Sequence, residues 1–302
     1  MAVITTGAHP KALWPGIVAW WGRAYAEVPT EYTDLFDTET SDKSYEETVE
    51  ITGFGLAPVK NEGTATSYDT ETQGAVTRFT NVAYSLGYIV TYEEQRDNLY
   101  EKVSKTRAKA LAYSMRQTKE NVAAAVYNRA FNSSFIGGDG ASLISASHPT
   151  ANGAQSNQLN TAADLSEAAI EDMLVQIMQT KNNRGLQISN EAQSLIVPSA
   201  LMFEANRVVK SVLQNDTNNN AINVLRAVNA FPKGIKVNRY LSSATAWFIR
   251  TGIPEGMKLF QREELSLDND NDFDTKNLKA HSYERYSVGW SDWRQLFGTA
   301  GV

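Results

Sequence analysis

The sequence predicts an α+β fold, and three observations carry that expectation. Helical and strand-like segments are mixed without a repeated βαβ unit, which argues against a doubly wound parallel sheet. One helical stripe, from about 92 to 132, is long enough to span roughly 60 Å at 1.5 Å per residue. From about 230 onward the chain alternates short β segments with turns: "KVNRYLS", "TAWFIR", "MKLFQRE" and "HSYERYSVGWSDWRQLF".

Residues 1 to 45 do not read as an autonomous domain. Trp14, Trp20, Trp21, Tyr25, Tyr32 and Phe36 are dispersed among Pro15, Gly16, Gly22 and Pro29 without a clear period. Such an aromatic load must be buried, either on its own domain or on a neighbouring chain. Residues 46 to 90 are rich in Thr, Val and Tyr, and Val76, Phe79, Val82, Tyr84 and Leu86 suggest strands. The centre of this segment, "KNEGTATSYDTETQG", is too polar to supply a core. The segment therefore reads as a long hairpin with its tip away from the body, and a two-stranded ribbon is marginal in water without a partner.

The long helix is expected to open on a capping box of Thr91 and Glu94. Leu99, Val103, Ala110, Leu111, Met115, Val122 and Val126 form its apolar stripe, and lysines and arginines fill much of the remainder. A polar loop covers 142 to 160. A second helix follows over 166 to 181, with Ser166 as N-cap and Ile170, Met173, Leu174, Ile177 and Met178 on its apolar face. "SLIVP", at 194 to 198, reads as a short buried strand. A third helix is expected over 199 to 214, carrying Leu201, Ala205, Val208, Val209 and Val212.

Composition excludes several function classes. The 302 residues contain no cysteine, which removes disulfides, thiolate zinc sites and cysteine nucleophiles. Three scattered histidines argue against a His-rich metal site. A formal charge of −6 gives no overall positive field to attract nucleic acid. No apolar run approaches the roughly 20 residues of a membrane span, and the opening lacks the pattern of a secretory signal, so the expectation is a cytoplasmic location while the chain is made.

Three stretches imitate chemical sites. Ser145 and Ser147 precede His148 in "SLISASHPTANG", yet no Gly-x-Ser-x-Gly elbow surrounds them, so loop hydrogen bonding is expected rather than a triad. "DNDNDFD", at 268 to 274, spaces carboxylates like an ion loop, but Phe273 and Lys279 stand where glycine and glutamate belong. A solvated acidic turn is expected there. "GGDG", at 137 to 140, lacks the Lys-Ser/Thr of a phosphate loop and reads as a helix stop and turn. No catalytic residue, cofactor or metal site is therefore expected.

The blocks "TTGAHPKALWPGI", "EYTDLFD", "GFGLAPVKNEG", "YSMRQTKENVAAAVYNRAF", "LIVPSAL" and "RYSVGWSDWRQLFG" resemble, in order, the major capsid proteins of tailed bacteriophages with the Hong Kong 97-type fold. The resemblance implies an N-terminal arm (1–45), an extended hairpin loop (46–90), a peripheral domain with a spine helix (91–164), an axial domain (165–258) and a return to the peripheral domain (259–302). It implies pentamers and hexamers of this chain in an icosahedral virion shell around double-stranded DNA, touched nonspecifically. It also implies a portal, a decoration protein and, since the arm opens the sequence, a separate scaffolding protein as partners, with no membrane. Trp14, Trp20, Trp21, Tyr25, Lys60 and Tyr68 become candidate intersubunit contacts. Leu99, Val103, Trp290, Trp293 and Phe297 become candidate peripheral-domain core, the last three packed under the spine helix. An encapsulin-like protein shell is the alternative of similar fold, and a serine hydrolase built on His148 is the distant one.

Overall fold

The computed structural model describes residues 29–93, 100–214 and 221–302. Trp14, Trp20, Trp21, Tyr25, Glu94, Leu99 and the Val103 side chain lie outside the described residues.

Two four-stranded sheets and five described α-helices form the body. The first sheet has the order β1-β10-β11-β4, from strands Asp37–Thr40, Met257–Asn271, Leu278–Trp290 and Val82–Val90. β1 runs parallel to β10, and the other pairs are antiparallel. The second has the order β12-β9-β7-β8, from Leu296–Thr299, Trp247–Thr251, Ala192–Pro198 and Ile235–Asn238. The helices are α1 (Tyr32–Leu35), α2 (Tyr100–Asn128), α3 (Glu167–Met178), α4 (Met202–Lys210) and α5 (Val224–Ala227). Two hairpins complete the picture: β2 (Tyr45–Ile51) with β3 (Gln73–Thr80), and β5 (His148–Thr150) with β6 (Gly153–Gln155).

The second sheet is covered on both faces, which explains the uninterrupted apolar run "SLIVP". Successive side chains on a strand point to opposite faces. Leu195 and Val197, Trp247 and Ile249, and Phe297 face one core with Ile170, Met173 and Ile177 of α3 and Ala205 and Val208 of α4. Ile196, Phe248 and Leu296 face a second core with Ala123, Val126 and Tyr127 of α2 and with Leu35 and Phe36. Phe36, Tyr127 and Phe248 meet edge-to-face, and the buried Tyr127 hydroxyl donates to the Leu35 carbonyl at 2.9 Å. Further toward its N-terminus α2 packs Ala108, Leu111 and Ala112 against Leu267 of β10.

This alternation corrects the packing expected at the C-terminus. Trp290 contributes to the core beneath α2, but Trp293 and Phe297 lie in the core with α3 and α4. The chain leaves the first sheet at Trp290, turns through a 3₁₀ segment at Trp293–Gln295 and enters the second sheet at Leu296. A single final strand cannot hold all three aromatics on one side.

Helix ends also differ from expectation. α2 ends at Asn128, whose side chain donates to the Tyr240 carbonyl and accepts from the Ser242 amide. Ser166 caps α3 as expected, accepting from the Ala169 amide. α4 stops at Lys210 because Asn223 donates to the Val208 carbonyl at 2.6 Å and to the Ser211 hydroxyl, leaving Val212 exposed rather than in the core. β10 is far longer than "MKLFQRE", continuing through "ELSLDNDN" with two register shifts. Half of the acidic stretch is therefore strand.

Asp37 in β1 ties the two sheets together. It accepts from Gln295 at 3.0 Å and pairs with Arg250 of β9 at 2.7 Å. Burial works to raise its carboxyl, but the hydrogen bonds from Gln295 and Arg250 and the arginine charge prevail and hold it below the ordinary aspartate range. A lowered folded value stabilises the fold above the unfolded value, and that contribution disappears as pH falls through the folded one. Asp37→Asn should therefore lower the urea midpoint at neutral pH and flatten its decline below about pH 4. Parallel acid limbs for both proteins would contradict this assignment.

Candidate functional site

The feature that the body does not account for is the β2–β3 hairpin. Its register runs from Tyr45↔Thr80 to Ile51↔Gln73, with a shift after Val49, and residues 52 to 72 form a long connection at its end. One face of β2 is exposed and the other only half-buried: the two classes alternate along its whole length. Val49, Ile51, Phe54 and Val76 are exposed, and Leu56, Val59 and Tyr68 are at least 82% exposed. Lys60 stands on the same exposed connection. A chain does not gain by holding this much apolar surface in water, so the surface marks a contact. β4, expected within the hairpin segment, instead pairs with β11 in the first sheet.

Two arginines fasten the hairpin to the body. Arg184 donates from Nε to the Gly53 carbonyl and from Nη2 to the Thr70 carbonyl and the Asp69 carboxylate. The Asp69 carboxyl is held low by hydrogen bonds from the amides of Gly55 and Thr70, and by Arg184. The second arginine, Arg294, is buried, with its side chain 4% exposed. Its Nη1 reaches Glu50 of β2 and Asp292, both at 3.1 Å. Nη2 donates to Asn183 Oδ1 at 2.6 Å, and Nε donates to the Lys181 carbonyl at 3.0 Å. Burial pushes the Asp292 carboxyl up, against the pull of Arg294. A planar guanidinium with a fixed fork of donors suits such a junction better than a lysine does. At the base of the hairpin Gly138 fits against Val76 and Thr77, where a Cβ would come within 2.5 Å of the Thr77 hydroxyl. "GGDG" is thus a close-packing turn, but not the expected helix stop, since α2 has already ended at Asn128.

The histidine that imitates a catalytic base is a joint in this network. His148 is fully buried; its Nδ1 lies 2.6 Å from Asp139 Oδ2 and its Nε2 lies 3.1 Å from Asn157 Oδ1. Asn157 donates to the carbonyls of Leu143 and Leu296, which fixes its amide so that the oxygen faces the ring. The imidazole stacks on Trp293, centroids 4.2 Å apart, and Arg294 lies 4.6 Å from the same indole. Both ring nitrogens are engaged, and neither contacts a serine hydroxyl; Ser145 Oγ accepts from the Ser147 amide instead. No nucleophile–base pair is assembled there.

In the acidic stretch, Asp272 pairs with Lys279 at 2.8 Å, and Phe273 projects from the turn, 95% exposed. Among the described residues no group of three potential metal ligands is found. No described helix is long and apolar enough to cross a membrane.

Sequence reasoning located Lys60 and Tyr68 on the exposed hairpin but missed the residues that aim it: Glu50, Asp139, Asn157, Arg184 and Arg294. Arg184 did carry a signal, the turn "NNRG", in which Gly185 adopts a positive φ of 83°. The others carry none, because long-range polar pairing has no sequence period.

Replacing Arg294 with Met should cost about 3 kcal/mol or more, since it strips Glu50 and Asp292 of a buried cation. Arg184→Ala breaks a solvent-exposed pair and should cost far less, while accelerating amide exchange over residues 53 to 72. Urea titration and hydrogen–deuterium exchange read the two effects separately. Unchanged exchange in the second variant would show that Arg184 does not restrain the hairpin.

Comparison with known proteins adds a family. A family model described as phage capsid protein matches residues 65–297. No curated protein matches the sequence. Among solved structures, a virus-like particle from Pyrococcus furiosus aligns at 11% identity over 94% of this chain and 97% of its own, with TM-score 0.52. The capsid of Myoviridae phage XM1 aligns at 11% identity over 88% and 89%, with TM-score 0.52. A chain of Mycobacterium phage Adephagia aligns at 10% identity over 91% of each, with TM-score 0.53.

Proposed function

Because the chain belongs to the phage capsid protein family, we propose that it is the major head subunit of a tailed phage, closing as pentamers and hexamers into an icosahedral shell around double-stranded DNA. Its fold is the Hong Kong 97-type capsid fold expected from the sequence. The observation that carries the assembly reading is the β2–β3 hairpin, whose exposed apolar side chains find no cover among the described residues. A second copy of the chain supplies that cover, and the same contact repeats at every subunit.

The role is structural rather than catalytic. The His148 cluster joins loops, and its serines do not reach the ring. Further partners in this reading are a scaffolding protein, a portal and a decoration protein, with assembly in the bacterial cytoplasm. Contact with the genome is nonspecific and made by local Lys and Arg, since the net charge of −6 opposes general attraction to DNA. The domain division given by the resemblance is kept, with one adjustment: the terminal segment 296–299 belongs to the sheet of β7, β8 and β9.

The test uses residues exposed within the subunit. The full chain, expressed with or without its scaffold, should give large uniform particles in electron micrographs. Leu56→Asp, Val59→Asp and Tyr68→Asp should leave the subunit's thermal unfolding unchanged but abolish particles. A chain that remains monomeric under all assembly conditions would sink the reading. Purified virions should contain double-stranded DNA; particles filled with protein cargo instead would favour the encapsulin-like alternative.

A further inference from the structure

Strands β12 and β8 form opposite edges of the second sheet. Helix α3 lies over the β12 edge, and α4 lies over β7 and β8. The two helices that cover one core therefore end on opposite flanks of that sheet, and the surfaces they turn to solvent differ in shape and in sign.

On the α4 flank, Phe203 is 75% exposed. Val224 and Val228, at the two ends of the adjoining α5, are exposed as well. Glu204 is the one acidic residue of these two helices, and Arg207 neutralises it at 2.6 Å. Lys210 and Arg226 are exposed and make the flank positive.

The α3 flank has the opposite character. The helix contains no lysine or arginine, and Glu171 and Asp172 are exposed on it. Val175 and Met178 stand on the same face, each about half exposed. Beside the helix runs a cleft of about 640 Å³, lined by Leu159, Ala163, Ala169, Asp172, Val175 and Gln176. Its alanines leave room for a large side chain.

An aromatic projection with a basic rim thus stands on one flank, and a cleft with an acidic rim on the other. One copy cannot bring together two flanks of its own sheet, but two copies can. We propose that α4 and α5 of one copy dock on α3 of the next, with Phe203 seated in the cleft and Lys210 and Arg226 facing Glu171 and Asp172. This rests on the shell reading above and specifies the contact that builds its rings. The contact is head-to-tail, so it closes into a ring once the rotation per step divides a full turn. Exposed charge pairs are weak singly; the buried aromatic supplies adhesion, and the charges select the partner flank. Acidic flanks repel one another, as do basic ones, so a closed head-to-head dimer is disfavoured. The apolar seat fixes no exact angle, and the same contact therefore serves rings of five and of six.

Charge reversal tests the pairing. One chain carries Glu171→Lys with Asp172→Lys, and a second carries Lys210→Glu with Arg226→Glu. Each should unfold thermally like the wild type yet lose particles at least tenfold in electron micrographs, and a chain with all four substitutions should recover them. Coexpressing the two reversed chains gives complementary flanks only in alternation, so native mass spectrometry should find hexamers and no pentamers. Phe203→Asp should abolish particles with thermal unfolding unchanged. Reversals that leave assembly intact, or a fourfold variant that stays unassembled, would overturn this contact while wild-type particles uphold the shell reading. Mixed pentamers would overturn the head-to-tail arrangement, and full assembly of Phe203→Asp the seat given to Phe203. A wild type that never assembles would remove both readings together.

Discussion

Five consecutive residues, 293 to 297, hold the molecule to its shape. Trp293 stacks on His148. Arg294 grips Glu50 of the hairpin and, through its carbonyl, receives the Thr251 hydroxyl and the Asn190 amide. Gln295 donates to Asp37 and accepts from the Met257 amide, joining the starts of the parallel strands β1 and β10. Leu296 and Phe297 then enter opposite cores. Both sheets, both of these cores and the β2–β3 hairpin touch this segment, and the direction of the hairpin follows from it.

Adhesion and direction come from different kinds of interaction in this molecule. Exposed apolar groups such as Val59 and Tyr68 gain free energy wherever water is displaced, at roughly 25 cal/mol per Å², and impose no orientation of their own. Buried polar joints add little net stability, because desolvation offsets much of their attraction. Their geometry is exacting, however, and Arg294 satisfies four acceptors only when the hairpin stands at one angle. A shell needs both properties: a contact that is modest singly and repeated many times, and a fixed angle so that repetition closes instead of wandering.

What could be read from the sequence was what has a period or a local stop signal. Leu111, Met115 and Val126 of α2, the Ser166 cap and the buried strand at 194 to 198 follow from spacing and from one hydroxyl, whereas Ala110 of the expected stripe is exposed and Arg116 and Lys119, expected outside it, are buried. The core at the C-terminus was misplaced because Trp290, Trp293 and Phe297 are all large and apolar, and only the 3₁₀ turn between them separates their faces. The end of α4 is set by Asn223, thirteen residues beyond Lys210, so no local reading of Val212 finds it. β10 outruns its apolar portion because pairing with β11, rather than intrinsic propensity, keeps "LDNDN" extended. The candidate site was legible as an uncovered hairpin, whereas its polar fastening was not, because Arg294 and Glu50 lie 244 positions apart.

The low identity to other capsid structures, 11% against phage XM1 at TM-score 0.52, is consistent with that division. Alternation along β7, β9 and β12 requires only that apolar residues recur, and many side chains meet the requirement. Polar joints are far less interchangeable, since each needs a particular donor aimed at a particular acceptor. A fold of this kind can exchange nearly all its core side chains while its architecture persists, and individual character collects in the joints. In this chain the joints are the stack of His148 on Trp293 and the arginines at the hairpin's base. Differences in how such subunits lock and stiffen are accordingly to be sought in buried polar side chains, where one substitution changes an angle or a bond, rather than in the apolar layers that build the sheet.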